Sequence, residues 1–337
     1  MKAAVIGAGR MGRRHLQVVR ALGLELVGLA DAQKPALEAA TREDAVPADL
    51  TYTDVASLLE ERQPECVIVA TTAPSHAEFT CQAAEAGARL VLCEKPMAVS
   101  LAECDRMLQV CRDQGTRLGV NHQMRFMEQY TAPKELLDSD AFGGLRSVLV
   151  AAGNFGLAMN GTHYFEMFRF MAEEPPETVT AWFSAGAVPN PRGAEFQDRA
   201  GSVRMETASG VRFYMDVSDD QGHGVKVAYT ARYGQITVDE LAGVMVVDVR
   251  QDEHRPLPTT RYGMPNRREA RHIRPADAVA PTRAVLEALV RGKDYPSGED
   301  GRLAVAALVA AYVSDESGHA AVRIDKTLPA ERTFPWA

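Results

Sequence analysis

The hexapeptide Gly7-Ala8-Gly9-Arg10-Met11-Gly12 follows the apolar run 3–6 without a break and opens a segment, 11–22, whose apolar residues recur at helical spacing. That order of strand, glycine turn and helix leaves few folds open. The first glycine permits a tight turn, the second lets a diphosphate approach the backbone, and the third lets helix and strand pack closely. The start of the helix then offers free N–H groups and a positive partial charge to the anion. Asp31 ends the next apolar run, nineteen residues beyond Gly12, where its carboxylate can accept from the hydroxyls of an adenosine ribose. Gly7, Gly9, Arg10, Met11, Gly12 and Asp31 are therefore the first candidates for holding a dinucleotide. Asp31 opposes a 2′-phosphate and favours NAD over NADP, although Lys34 lies close enough to blur the preference.

The rest of the first third keeps the same grammar. Continuous apolar runs at 26–30, 66–70, 90–93 and 117–120 alternate with amphipathic segments at 35–41, 54–61, 75–86 and 101–113. This is the pattern of βαβ units building a parallel sheet covered on both faces. Beyond residue 120 the period changes. Segments 201–207 and 211–218 alternate with period two around Ser209-Gly210, as do 225–231 and 235–238 around Tyr233-Gly234, and 244–249 forms a further strand. Helices are expected near 163–171, 282–291 and 299–314. The fold class predicted is an α/β Rossmann domain over 1–120 and an α+β domain over 121–337 with a mostly antiparallel open sheet. The length agrees, since 337 residues exceed the roughly 250–300 at which one core stops growing. On the strand 211–216, Val211, Phe213 and Met215 alternate with Arg212, Tyr214 and Asp216, so both faces carry area to hide. A homodimer or homotetramer covering that open face is expected.

Composition removes several classes of partner. Thirty-seven Lys+Arg against 45 Asp+Glu give a formal charge of −8, which provides no field for a nucleic-acid backbone. No apolar stretch approaches the roughly 18–20 residues of a membrane span, and no leader pattern precedes the first strand, so a cytoplasmic protein without a membrane partner is expected. Cys66, Cys81, Cys93, Cys104 and Cys111 form no C-x-x-C pair and have no histidine at zinc spacing, which predicts reduced buried thiols and no metal. Asp219-Asp220-Gln221-Gly222-His223-Gly224 reads as a turn rather than a metal loop.

Two further segments carry a family likeness. Ala70-Thr71-Thr72-Ala73-Pro74-Ser75-His76 and Cys93-Glu94-Lys95-Pro96 each follow an apolar run. In register with the glycine motif they resemble the A-T-x-x-x-x-H and E-K-P signatures of the glucose-fructose oxidoreductase, inositol dehydrogenase and MocA family. The segment 121–126 is similar to that family's Asn-x-x-x-Arg-Phe, and the resemblance covers essentially the whole chain. It implies hydride transfer between NAD(P) and a hydroxyl or ketone of a polyhydroxyl small molecule: a sugar, amino sugar, nucleotide-sugar or cyclitol. It adds Thr71, Thr72, His76, Glu94 and Lys95 to the cofactor-binding residues, and it places Lys95 beside the nicotinamide and the reacting hydroxyl. Physical chemistry supports that role, because an ammonium repelled by a cationic ring has a lowered pKa and can donate to or accept from an alcohol. The isomer of the Lys95–Pro96 bond is left open by sequence.

The family's second catalytic group is the histidine of a D-x-G-x-H pattern at a helix start. Gly161-Thr162-His163 matches, which makes His163 the candidate proton acceptor, but Met159 stands at the aspartate position. Methionine cannot orient an imidazole. Either Glu166, one turn further on, takes that duty, or the proton passes mainly through Lys95 and water. Asn121, Arg125, Asn154, Asn160 and Tyr164, with Lys95 and His163, are the expected substrate contacts. Two other readings stay open: a catalytically silent NAD-binding sugar sensor of the same fold, and a member that oxidises and re-reduces one substrate on tightly held NAD. The stretch 261–274 gathers Arg261, Arg267, Arg268, Arg271, His272 and Arg274, which read either as a solvated or interface loop or as a clamp for a phosphate-bearing substrate.

Overall fold

Short apolar runs joined by helical returns pair in parallel, because each return brings the chain back to the same edge. The computed structural model describes residues 1–153, 155–258, 265–275 and 277–337. Its first sheet contains β1 (Lys2–Ile6), β2 (Glu25–Ala30), β3 (Thr51–Tyr52), β4 (Cys66–Val69), β5 (Leu90–Cys93) and β6 (Arg117–Val120) in the order β3-β2-β1-β4-β5-β6. Neighbours run parallel throughout. Helices α1 (Arg10–Ala21), α2 (Lys34–Glu43), α3 (Val55–Arg62), α4 (His76–Glu85) and α5 (Leu101–Asp113) make the connections. Residues 3–6, 66–69 and 90–93 are all buried, which is why these strands read as continuous rather than alternating apolar runs. Strand order reverses between β1 and β4, so the loops leaving their carboxyl ends part and open a crevice.

Among the described residues the second sheet has nine strands and is antiparallel except where β7 (Leu145–Gly153) pairs with β10 (Arg212–Ser218). Between them in sequence come β8 (Pro176–Val188) and β9 (Asp198–Thr207), and after them β11 (Lys226–Ala231), β12 (Gly234–Asp239), β13 (Val244–Arg250), β14 (Asn266–His272) and β15 (Val322–Arg323). The order is β14-β13-β12-β11-β7-β10-β9-β8-β15. Both hairpins expected from sequence are present, with Met205 opposite Phe213 and Tyr229 opposite Ile236. The remaining helices are α6 (Glu128–Leu137), α7 (Thr162–Ala172), α8 (Val279–Arg291) and α9 (Gly298–Glu316). Phe165 and Phe168 of α7 lie 6.1 Å and 5.2 Å from Phe213, which identifies the covered face. Leu149, Trp182 and Tyr214 are exposed on the other.

By contacts the chain forms two compact units, one of residues 1–123, 277–305 and 329–337, the other of 124–276 and 306–328. A single boundary at 120 therefore leaves out two segments that return to the first unit. Val285, Leu286 and Leu289 of α8 are buried there, and the Arg117 guanidinium donates to the Leu289 carbonyl at 2.7 Å. Several elements carry too little periodicity to be read from sequence. β14 is exposed along its whole length and has no apolar stripe, β8 begins with Pro176 and contains Gly186, and α6 contains Pro133. Among the described residues no helix is long and apolar enough to cross a membrane, and all five cysteines are buried and unpaired in disulfides.

Candidate functional site

The glycine loop is built by backbone contact. Gly7 has φ +102°, and a Cβ on it would stand 2.6 Å from the Ala70 carbonyl oxygen, while a Cβ on Gly12 would meet the Gly7 oxygen at 1.8 Å. Gly9 differs, because a Cβ there would meet nothing within 4 Å. Packing does not require glycine at position 9, whereas the approach of a ligand to its backbone does. Helix α1 begins at Arg10 with no side-chain cap and no acid in its first turn, leaving its positive end to an external anion. The carboxylate of Asp31 is held from both sides: Oδ2 accepts from the Ala8 N–H at 2.7 Å and Oδ1 from the Gln33 N–H at 2.8 Å. Arg10 is exposed and Met11 half-buried at the same end of α1. These residues fit a dinucleotide.

The loops after β4 and β5 are tied together. The Ser75 hydroxyl donates to Thr71 Oγ1 at 2.8 Å and to the Thr72 carbonyl at 3.0 Å. Buried His76 sets Nδ1 2.8 Å from the Pro96 carbonyl and Nε2 3.1 Å from the Thr71 carbonyl, so its ring joins the two loops. The Lys95–Pro96 bond is cis, and Lys95 is buried. Glu94 receives His15 Nε2 and Asn121 Nδ2, both at 2.8 Å, on Oε1. Burial pushes this carboxyl up, but the hydrogen bond and charge of His15, the charge of Lys95 and the Asn121 amide outweigh it and hold the pKa at about 2. Beyond the loop, Ser100 Oγ accepts from the Glu103 N–H and Glu103 Oε2 from the Val99 N–H, which fixes the start of α5. Asn121, expected to touch substrate, is instead fully buried in this network, with its amide also 3.4 Å from Thr282 Oγ1.

The second unit presents the other candidates on and around α7. His163 lies in the first turn and is buried. Glu166, expected as a partner for that imidazole, is taken by two guanidiniums, Arg125 and Arg169, both donating to Oε1; its Oε2 is buried without a hydrogen bond. Arg125 also lies over the ring of Phe170, 5.3 Å from the centroid. Tyr164 is likewise turned inward. Its ring stacks on Phe155 at 5.8 Å and its hydroxyl donates to Glu240 Oε2 at 3.2 Å, while the Tyr130 hydroxyl donates to Oε1. Burial raises Glu240 to about 7 against the opposing pull of the two tyrosine hydrogen bonds, and burial followed by the Glu240 charge raises Tyr130 and Tyr164 well above their ordinary values. Asn160 is half-buried, its N–H donating to the Gly156 carbonyl at 3.1 Å. Asn154 lies outside the described residues. Nothing in the sequence marks Asp198 or Glu240, two acids in unremarked segments that hold the turn before α7 and α7 itself.

Residues 266–272 of the arginine-rich stretch form the edge strand β14 rather than a loop, and Arg274 follows it; Arg261 lies outside the described residues. Three of its cations have acidic partners: Arg268 on Asp248 at 2.9 Å, Arg271 on Glu269 at 2.8 Å and Arg274 on Glu128 at 3.6 Å. The three guanidiniums are 71%, 41% and 92% exposed, and pairs of that kind hold little stability, so both uses of the charge stay open.

A family profile described as an oxidoreductase family with an NAD-binding Rossmann fold matches residues 1–122. The D-apiose dehydrogenase of Paraburkholderia graminis is 34% identical over 187 residues, 50% of this chain and 49% of that protein, so the match spans about half of that relative's length. The inositol 2-dehydrogenase of Pseudomonas fluorescens is 30% identical over 238 residues, 64% of this chain and 67% of that protein. In fold, the chain is similar to an oxidoreductase from Agrobacterium radiobacter solved with NAD+, L-tartaric acid and magnesium. The TM-score is 0.81 at 20% identity, covering 96% of this chain and 98% of that one.

Proposed function

We propose that this chain, which belongs to the glucose-fructose oxidoreductase, inositol dehydrogenase and MocA family of oxidoreductases, is an NAD-dependent dehydrogenase or reductase acting on a CH–OH group. The substrate class is a polyhydroxyl small molecule: a sugar, amino sugar, nucleotide-sugar or cyclitol. One observation carries the reading. Lys95 leaves the carboxyl end of β5, on the same sheet edge as the glycine loop after β1 and Asp31 after β2, in a loop fixed by Glu94, His15 and His76.

The glycine loop and the start of α1 hold the diphosphate, and Asp31 accepts from the adenosine ribose. Because Ala8 and Gln33 already fix both Asp31 oxygens, its charge stays where a 2′-phosphate would come, which supports NAD over NADP. Thr71, Thr72, His76 and Glu94 shape the nicotinamide end. A bound nicotinamide supplies the hydride acceptor or donor. Lys95 donates to the substrate oxygen and polarises it. His163 takes the hydroxyl proton on oxidation and returns it on reduction. The names of the relatives, apiose and inositol dehydrogenases, support the substrate class.

The test is a panel of free sugars, inositols and nucleotide-sugars with NAD and with NADP, following the absorbance of the reduced ring. Stoichiometric NADH from at least one compound is expected. NAD binding with no turnover of any compound, but with NAD affinity altered by one of them, would replace this reading with that of a sensor.

A further inference from the structure

We infer that Asp198 is a positioning residue for His163, fixing from the neighbouring strand the turn on which the imidazole is carried. The inference rests on the proposed proton-handling role of His163. The turn Leu157–Gly161 leads directly into α7 and is wound wide, with Asn160 and Gly161 both donating to the Gly156 carbonyl, at 3.1 Å and 3.2 Å. Such π-type turns are rare and recur at functional sites. Neither Gly156 nor Gly161 caps the helix with a side chain, and there is no acid in the first turn of either element. Local sequence provides one tie, the Thr162 hydroxyl donating to the Ala158 carbonyl at 3.1 Å, but no side-chain cap.

Asp198 provides one from another element. It is the first residue of β9, paired with Val188 of β8, and it is only 1% exposed. One carboxylate oxygen accepts from the Ala158 N–H and the other from the Met159 N–H, each at 2.8 Å. A negative charge receiving two N–H groups at the start of a helix has the favourable sign for the helix dipole. The approach is so close that a Cβ on Gly156 would fall 2.1 Å from the carboxylate carbon and 2.2 Å and 2.6 Å from its oxygens. Position 156 must therefore be glycine for the contact to exist. The geometry also bears on Met159, which stands where the resembling pattern carries an aspartate. The carboxylate reaches that residue's backbone from 39 residues away, while Glu166 is occupied by Arg125 and Arg169.

The experiment uses the full chain and the variants Asp198→Ala, Asp198→Asn and Gly156→Ala, the last displacing the carboxylate without removing it. Two readouts need no substrate: amide hydrogen exchange across 157–163, and the imidazole ¹⁵N signals of His163, assigned by their loss in His163→Gln. In Asp198→Ala and Gly156→Ala, protection at 157–163 should fall by about 10-fold or more, with β10 and β11 changed by less than about 2-fold, and the His163 signals should move. Asp198→Asn, which keeps one carbonyl acceptor, should lie between. With any compound turned over, kcat should fall about 10- to 100-fold with little change in KM or in NAD affinity. Wild-type protection and wild-type imidazole signals in Asp198→Ala would overturn the inference. So would global unfolding of all three variants, which would make Asp198 a residue of the fold at large. If instead His163→Gln keeps full turnover, the functional reading fails while the exchange and imidazole results still decide the positioning.

Discussion

His15 Nε2 and Glu94 Oε1 lie 2.8 Å apart across 79 residues of sequence, both buried, and so join the helix that follows the glycine loop to the residue that precedes Lys95. The pair has a pH signature. Glu94 is held at about 2 against an ordinary 4.5, so the carboxylate's contribution is complete above 4.5 and is lost as pH falls toward 2. Denaturant unfolding between pH 6 and pH 3 should show a loss of up to about 2 kcal/mol from this site. In Glu94→Gln that part of the slope should vanish. An unchanged slope would mean that Glu94 is not the group responsible.

Glu240 should act with the opposite sign. Burial raises it to about 7, so the folded state holds its proton longer than the unfolded chain does. Stability is then highest below about 4.5 and declines as pH rises through 7, by at most about 3 kcal/mol. Glu240→Gln keeps an acceptor for one tyrosine hydroxyl and removes the titration. The variant should gain on wild type at pH 8 relative to pH 5, and parallel pH profiles would refute the assignment.

Lys95→Ala should lower turnover by roughly 100-fold or more while leaving the NAD dissociation constant nearly unchanged, as expected of a group that works on the transition state. Steady-state kinetics with isothermal titration separates the two quantities. Full activity in the variant removes Lys95 from the mechanism.

Asp31→Ser combined with Ala32→Arg should move cofactor preference toward NADP, because the carboxylate that opposes a phosphate is gone and a guanidinium takes its place. The ratio of kcat/KM for the two cofactors is the readout. Equal affinity of the unmodified protein for NAD and NADP would undo the premise.

The exposed face of the nine-stranded sheet should be covered by a second copy. Leu149 and Tyr214, paired across β7 and β10, and Trp182 on β8 are 41%, 38% and 47% exposed there. Sedimentation at micromolar concentration should give a dimer or tetramer, and Leu149→Lys with Trp182→Glu should dissociate it. A monomeric wild-type protein contradicts the expectation.

The parallel sheet was legible because runs such as 66–69 and 90–93 are buried on both faces, and the hairpins because Phe213 and Met215 face inward while Tyr214 and Asp216 face out. Charge hid the rest: β14 carries three arginines and no apolar stripe, so periodicity had nothing to register. The motif glycines and Asp31 are readable from the short-range geometry of a strand, turn and helix, whereas Lys95 is singled out by the resemblance of its segment to a family signature. Residues acting through long-range contacts were not. Asn121 and Tyr164 looked like polar groups awaiting a ligand, and only the fold reveals Glu94 and Glu240 as their partners. Helical spacing offers Glu166 to His163 as one of two alternatives, and spacing says nothing of an arginine arriving from residue 125.

The three-part make-up of the first unit has a consequence for how the protein is made. Its sheet is encoded within the first 120 residues, yet α8 covers α1, the Val99 carbonyl receives the Phe334 N–H at 2.9 Å, and Trp336 is wholly enclosed. During synthesis, then, residues 1–123 emerge before 277–305 and 329–337 and stay unfinished until those segments follow. A fragment cut after residue 123 would be in the same condition permanently, with the face of α1 that α8 covers and the loop behind Lys95 open to water. Residues 1–123 wait for segments made well after them to close their core.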